Sequence, residues 1–262
     1  MNNVNKTLYI PLYGKAYVSK KNIILQDKKA EDIWENAGLA LKGKSKSKWL
    51  AYYMAMRSAI YDEWVRQEIR NNPNIIVLHI GCGLDSRIER VATKDTQWYD
   101  IDFPDVIEER KKYYVESDFY HMLPTDMRNS EWNKCIEGNH DAMIILEGVS
   151  MYFRPEELVE LLANLCGHFR TIKLLMDCYT ERAAKASKYK NPINDVGVTV
   201  VYGYDNPQKL AKKSGLLFEK EHSMTPQKYI DELQGMERII FKYLFAGKIA
   251  KAMYRMYEFK KR

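Results

Sequence analysis

The sequence predicts an α/β fold: a doubly wound, mostly parallel sheet with an antiparallel edge strand and an N-terminal helical cap. The main evidence for this fold is a set of short apolar runs without polar alternation, a pattern typical of parallel strands buried on both faces. Segments long enough for a helical crossover separate these runs, and repeated strand, helix, strand order builds a parallel sheet. The runs are residues 75–80, 98–101, 142–146 and 172–176.

Length and composition fit a globular chain with one core. The 262 residues are 46% hydrophobic and 29% charged, which excludes collagen-like, low-complexity and disulfide-scaffold classes. No apolar stretch is long enough to span a bilayer, and the first residues lack a secretory signal. The four cysteines are far apart with no CxxC pair, which argues against a structural zinc site and fits a reducing compartment. We expect a cytoplasmic protein with no membrane partner and no metal.

The first part of the chain, residues 1–72, is expected to form the helical cap. Apolar residues recur at helical spacing over 29–70, and a break near Gly43 divides this stretch into two helices. Pro73 ends the run, because proline disfavours helix in the residue before it. Residues 73–262 would then form the core.

The second half of the core is expected to add two helices and an edge pair of strands. Residues 155–169 have a broad apolar face, and a proline and two glutamates at their start suit a helix N-terminus. A shorter helix is expected to end at Gly215 after an aspartate or asparagine cap. Segments 216–224 and 253–259 resemble an antiparallel pair, and 178–200 resembles a lid-like polar excursion.

Two glycines, Gly81 and Gly83, follow the first predicted strand. Ligands of doubly wound sheets bind outside the carboxyl ends of strands, where glycine lets a ligand approach the backbone. The second strand ends on Asp102, with Asp100 two residues earlier, and Asp102 lies 19 residues after Gly83. An acid at about this spacing reaches ribose hydroxyls in nucleotide-type sites. The sequence therefore predicts a nucleoside-type cofactor at this turn.

The residues around the turn favour a cofactor without phosphates. A dinucleotide site would have a third glycine where this chain has Ser86, and Asp85 would repel a pyrophosphate. S-adenosylmethionine fits, because it carries an adenine, a ribose, a sulfonium and an amino-acid tail. Asp126 is placed to accept the adenine amino proton, and Glu147 is placed near the cationic end of the cofactor.

Four sequence motifs in the chain resemble those of one known family. They are GCGLDSR at 81–87, DIDFPDVIEERK at 100–111, TDMR at 125–128 and LEGVSMYFRPEE at 146–157. On these motifs the chain resembles the leucine carboxyl methyltransferase family, which includes bacterial polyketide carboxyl O-methyltransferases. The resemblance implies a Rossmann-like class I methyltransferase fold and S-adenosylmethionine as the cofactor.

The resemblance also implies which residues bind the cofactor. Lys15 and Arg57 match the lysine and arginine that hold the cofactor's carboxylate in the family, and a guanidinium can grip a carboxylate with two parallel hydrogen bonds. One departure is His79 in the first strand, for which we expect a buried, hydrogen-bonded histidine. By the same matching, Gly81 and Gly83 line the cofactor, Asp102 holds the ribose, Asp126 and the backbone of Met127 face the adenine, and Glu147 lies near the methionine moiety.

The predicted activity is O-methylation of a carboxylate or hydroxyl on a small molecule, polyketide-like or another secondary metabolite. Methyl transfer needs alignment and the exclusion of water, and a carboxylate needs no base because it is ionised at neutral pH. A phenol or alcohol would use a base, for which His121 or Tyr152 is the candidate. The candidate pocket aromatics are Tyr13, Tyr152 and Tyr204, and no catalytic residue is assigned.

Two alternatives stay open. A net charge of +6 and the block Lys42, Lys44, Lys46 and Lys48 motivate an RNA or nucleic-acid-associated methyltransferase. Against this, the motif typical of base methylation is missing after the fourth strand, so a small-molecule acceptor is preferred to nucleic acid. Fold alone also leaves open a regulatory protein that binds the cofactor without turnover.

Overall fold

The structure, a computed structural model, describes residues 5–38, 41, 43–129, 131–187 and 200–261. Seven strands of this part form one sheet in the order β3-β2-β1-β4-β5-β7-β6. The strands are β1 (Ile76–Ile80), β2 (Trp98–Asp102), β3 (Tyr120–Pro124), β4 (Asp141–Leu146), β5 (Thr171–Tyr179), β6 (Leu217–His222) and β7 (Tyr254–Lys261).

The sheet has the predicted mixed character. Strands β1 to β5 are parallel, with Leu78 of β1 between Tyr99 of β2 and Ile144 of β4. Strand β7 runs antiparallel to both β5 and β6, which confirms the predicted edge pair. The order of the parallel strands reverses between β1 and β4. In open α/β sheets a ligand crevice forms at such a switch point, beyond the carboxyl ends of the strands.

The N-terminal part of the chain is helical. The helices are α1 (Tyr9–Ser19), α2 (Lys28–Asn36) and α3 (Lys48–Asn71), with 3-10 helices at Asn5–Leu8 and Gly43–Lys46. Helices α2 and α3 lie on either side of Gly43, as predicted, whereas α1 was not predicted. Asp27 caps α2, since its carboxylate accepts a hydrogen bond of 2.9 Å from the Ala30 amide.

The remaining helices follow the strands in chain order. They are α4 (Arg87–Val91), α5 (Pro104–Arg110), α6 (Pro155–His168), α7 (Glu181–Ala186), α8 (Pro207–Ser214), α9 (Gln227–Asp231), α10 (Gly235–Leu244) and α11 (Lys248–Met253), with 3-10 turns at Trp132–Cys135 and Ser150–Tyr152. Helices α6 and α8 confirm the two predicted helices. Asn206 caps α8, and Gly215 ends it with a φ of +78°. The insertion α9–α11 between β6 and β7 was not predicted.

The predicted excursion over 178–200 is only partly described. Residues 178 and 179 belong to β5, and 181–186 form α7, so the excursion does not begin where the sequence indicated. Strand β5 extends beyond the apolar run because Asp177 and Cys178 remain fully buried in it. Residues 188–199 lie outside the described residues.

The core lies on both faces of the sheet. On one face the N-terminal helices pack against it, with Tyr52 and Trp64 of α3 in the same buried cluster as Trp98 of β2. On the other face α6 and α8 supply buried leucines, such as Leu162 and Leu210. Burying each such side chain contributes roughly 1.5–3 kcal/mol. No helix among the described residues has the length and apolar character needed to cross a membrane.

Candidate active site

A cavity of about 490 Å³ lies beyond the carboxyl ends of β1, β2 and β4. Three parts of the chain enclose it: the N-terminal helices, the loops that follow these strands, and the insertion α10–α11 with the start of β7. This is the switch point of the strand order, where doubly wound sheets bind ligands, and the volume is in the range of small-molecule sites.

The glycine turn after β1 forms one wall of the cavity. Gly81 has a φ of +71°, and a Cβ at this position would lie 2.2 Å from Cγ2 of Val149. A side chain therefore fits neither the backbone conformation nor the space. Gly83 also has a positive φ, and its amide donates a hydrogen bond of 2.8 Å to Oδ2 of Asp102. The ends of β1 and β2 thus face one another across the turn.

Asp102, the last residue of β2, lies beside this turn and its carboxylate borders the cavity. It is 7% exposed and accepts hydrogen bonds of 2.8 Å from the amides of Gly83 and Phe103. No described cation forms an ion pair with it. Burial raises the pKa of Asp102 to about 6, and the two amide donors oppose that rise. Hydroxyl donors from a ribose would stabilise the ionised form, so this residue fits the predicted role.

The nearby acid Asp100 is fully buried and forms its hydrogen bonds inside the protein instead of lining the cavity. Its carboxylate accepts from Nε1 of Trp98 at 2.9 Å and from the hydroxyl of Tyr120 at 2.7 Å, and it pairs with Arg110. His79 lies beside it, 2% exposed, with Nδ1 3.2 Å from Oδ1 of Asp100. The ring of His79 also borders the cavity.

The two predicted carboxylate-binding cations both line the cavity and are buried. Lys15 Nζ lies 3.0 Å from Oδ2 of Asp85. Arg57 pairs with Glu147 and with Asp177, each at 3.1 Å. The structure therefore brings Lys15, Arg57 and Glu147 together, and it adds Asp177, which the sequence analysis did not select. The available signal was an acid directly after the apolar run of β5.

Buried ion pairs of Arg87 link Glu147 in this site to helix α3. Its guanidinium pairs with Glu147 at 2.5 Å and with Asp62 of α3 at 2.8 Å. Burial alone would raise the pKa of Glu147, but Arg87 and Arg57 hold it below its usual value. Glu147 therefore stays ionised at neutral pH and can face the cationic part of a ligand.

Several predicted site residues lie outside the lining of the cavity. Asp126 is bound by Arg128 at 2.6 Å and its side chain is 41% exposed, while its neighbour Met127 does line the cavity. Tyr13 packs between Tyr17 and Trp34, and its hydroxyl faces the backbone of Lys46. The hydroxyl of Tyr204 donates a hydrogen bond of 2.8 Å to the carbonyl of Phe153.

The side of the cavity away from the strand ends, which we call the acceptor side after its predicted role, is aromatic and aliphatic. One face of α3 contributes Trp49, Tyr53 and Arg57, at helical spacing. Opposite them, Phe245 stacks on Trp49 with ring centroids 5.2 Å apart, and Tyr254 meets Tyr53 edge-on at 6.5 Å. The aliphatic side chains here are Leu50, Met54, Ile249 and Met253.

The acidic and imidazole groups of the described lining come from the strand-end side. They are His79, Asp85, Asp102 and Glu147. The other predicted base, His121, stacks on Tyr99 at 4.9 Å and does not border the cavity. Tyr152 does border it, and burial raises the pKa of Tyr152 to about 12.

Comparison with known proteins agrees with this geometry. The family model described as leucine carboxyl methyltransferase matches residues 10–166, more than half of the chain. The tetracenomycin polyketide synthesis O-methyltransferase TcmP of Streptomyces glaucescens is 27% identical over 241 residues, which cover 91% of this chain and 89% of TcmP. The S-adenosyl-L-methionine-dependent methyltransferase dpfgK of Gibberella zeae is 22% identical over 233 residues, 80% of this chain and 78% of dpfgK.

Solved structures share the fold. Magnesium protoporphyrin IX methyltransferase ChlM from Synechocystis PCC 6803 with bound SAM superposes with a TM-score of 0.54 at 12% identity, covering 88% of this chain and 91% of that chain. The form of ChlM with bound SAH gives a TM-score of 0.53 at 13% identity, covering 88% and 94%.

Proposed function

Since the chain belongs to the leucine carboxyl methyltransferase family and is an S-adenosylmethionine-dependent methyltransferase of small molecules, we propose that it methylates the carboxylate of an apolar aromatic acid. The aromatic and aliphatic walls of the acceptor side support an apolar acceptor body. The groups available for acid–base chemistry support a carboxylate as the accepting group.

The strand-end side of the cavity would hold the cofactor. Ionised Asp102 would accept hydrogen bonds from the ribose hydroxyls, and the backbone of Met127 would lie against the adenine. Lys15 and Arg57 would bind the carboxylate of the cofactor, and Glu147 would face its ammonium. Bound there, S-adenosylmethionine would supply an activated methyl group for transfer from sulfur to the acceptor oxygen, with S-adenosylhomocysteine as the leaving group.

The observation that favours a carboxylate over a hydroxyl is that the described residues supply no base on the acceptor side. In the described lining, the acidic and imidazole groups come from the strand-end side, and the three acids are held by ion pairs or backbone amides. With a pKa of about 12, Tyr152 is not ionised at neutral pH. A carboxylate is already ionised there and loses no proton on methylation, so positioning by the cavity walls is sufficient.

A matched pair of acceptors tests the proposal. Biphenyl-4-carboxylate and 4-phenylphenol have the same apolar body and differ in the accepting oxygen. We expect methyl ester formation, followed by mass spectrometry and S-adenosylhomocysteine release, with kcat nearly constant from pH 6 to 9. Methylation of 4-phenylphenol alone would overturn the carboxylate assignment. Cofactor binding without turnover of either compound, or of a wider set of aromatic acids and phenols, would favour the regulatory alternative.

The nucleic-acid alternative has less support. Lys48 pairs with Glu237 at 2.7 Å, Lys44 borders the cavity, and Lys42 lies outside the described residues, so the lysine block does not form one free basic face in the described chain. We also propose a cytoplasmic location, which is supported by four unpaired cysteines.

A further inference from the structure

We propose that Lys44 binds a second anionic group at the far end of the acceptor. The preferred substrates would then be elongated aromatic acids with a second carboxylate on the order of 10 Å from the methylated one. This inference rests on the proposed carboxyl methylation and specifies its substrate class.

The first observation is the charge state of the cavity lining. Lys15 and Arg57, which are buried in the lining, are each paired with acids. Lys44 also lines the cavity, but no acid of the described chain lies within ion-pair distance of its ammonium. In the described part of the chain, Lys44 is therefore a lining cation with no acid partner, and a complementary ligand would place an anion there.

The second observation is the placement of Lys44 along the cavity. Arg57 and Trp49 lie on the same face of α3 and both border the cavity. They are eight residues apart, which is about 12 Å along a helix axis. Lys44 also borders the cavity and belongs to the 3-10 helix Gly43–Lys46, which precedes α3 at its Trp49 end and not at its Arg57 end.

The third observation is the aromatic surface along α3 between Trp49 and Arg57. The Trp49 ring stacks on Phe245, and Tyr53 meets Tyr254 edge-on one helical turn closer to Arg57. A flat, apolar body would cover these rings, with one acid beside the cofactor and the other beside Lys44. Because Lys44 itself is exposed, we expect a moderate selectivity rather than an absolute requirement.

The chain offers a matched control for Lys44. Lys46 lies on the same 3-10 helix and is also exposed, but it does not line the cavity. The variants Lys44→Gln and Lys46→Gln remove the same charge from the same element, so long-range steering and effects on folding are shared. Only a direct contact with the ligand separates them.

The test measures binding of biphenyl-4,4′-dicarboxylate and biphenyl-4-carboxylate in the presence of S-adenosylhomocysteine. Calorimetry gives the dissociation constants, and quenching of the tryptophan fluorescence, to which Trp49 in the cavity wall contributes, provides a second readout. We expect the unsubstituted protein to bind the dicarboxylate about 3- to 10-fold more tightly than the monocarboxylate. Lys44→Gln should remove this preference, Lys46→Gln should keep it, and cofactor affinity should be unchanged in both.

The outcomes separate this inference from the proposed function. Equal preference in the two variants, or no preference for the dicarboxylate in the unsubstituted protein, overturns the role of Lys44. If biphenyl-4-carboxylate is still converted to its methyl ester in that case, carboxyl methylation stands and only the substrate class fails. Methylation of 4-phenylphenol with no binding of either acid overturns both.

Discussion

Asp102 holds a carboxylate whose surroundings favour the neutral form, while its proposed role uses the charged one. Burial raises its pKa to about 6, and the amides of Gly83 and Phe103 limit the rise. Ribose hydroxyls would act as further hydrogen-bond donors to this buried carboxylate. Cofactor affinity should therefore follow the ionisation of this single residue.

The first prediction concerns the pH dependence of cofactor binding. If only ionised Asp102 binds the ribose well, the dissociation constant of S-adenosylmethionine should be stable between pH 7 and 8. The dissociation constant should rise roughly tenfold by pH 5, one pH unit below the pKa of Asp102, which means weaker binding. Calorimetry across this range measures it. Asp102→Asn should bind more weakly at pH 8 and lose the pH dependence, whereas Asp118→Asn, at an exposed aspartate, should behave like the unsubstituted protein. A constant affinity from pH 5 to 8 would contradict the assignment.

Among the elements, α3, α4 and the loop after β4 are joined by buried ion pairs. Arg87, at the start of α4, is 0% exposed and pairs with Asp62 of α3 and with Glu147 after β4. Removing one partner from such a cluster leaves the others charged and desolvated, which costs more than the pair itself contributes. The same change at an exposed pair such as Arg128 with Asp126 leaves both groups in water.

The second prediction compares these two arginines. Arg87→Met should reduce the free energy of unfolding by about 3–5 kcal/mol, because Asp62 and Glu147 lose a buried partner. Arg128→Met should reduce it by less than about 1 kcal/mol. Urea denaturation followed by circular dichroism measures both. Similar losses in the two variants would mean that the buried cluster does not hold these elements together.

The elements also show what a single sequence can predict. Strands β1, β2, β4 and β5 and helices α6 and α8 were predicted because apolar runs, helical periodicity and caps are local signals. Helix α1 was not, because Pro11 and Gly14 weaken its helical pattern. The insertion α9–α11 was missed because its helices are short and much of α10 is exposed, with Met236 and Tyr243 more than 60% exposed.

The residues of the candidate site likewise fall into those that the sequence predicts and those that it does not. The acids after strand ends were predictable, since the topology brings the ends of parallel strands together. The meeting of Trp49 with Phe245 joins residues almost 200 positions apart, and no local pattern encodes it. Tyr13 and Tyr204 were selected by residue type alone, which does not show whether a ring faces a cavity or the core.

For the whole molecule, we propose that the cap, residues 1–72, and the core, residues 73–262, fold as one cooperative unit. Side chains of α1 and α3 belong to the same buried cluster as strand residues. Several buried ion pairs cross the boundary, among them Lys15 with Asp85 and Arg57 with Glu147. Since both parts line the cavity, a ligand bound there contacts the cap and the core together.

This cooperativity leads to the third prediction. Scanning calorimetry should show a single unfolding transition, and S-adenosylmethionine should raise its midpoint without splitting it. At a free concentration of 100 times the dissociation constant, ligand binding adds about 2.7 kcal/mol, which is roughly 5–10 °C for a chain of this size. Asp102→Asn should show a smaller shift at the same concentration, because its affinity is lower. Two transitions, with only the one assigned to the core moved by the cofactor, would show that the cap folds independently and does not complete the site. We expect a single transition that shifts as a whole, because residues of the cap would bind the cofactor's carboxylate and a residue of the core would bind its ribose.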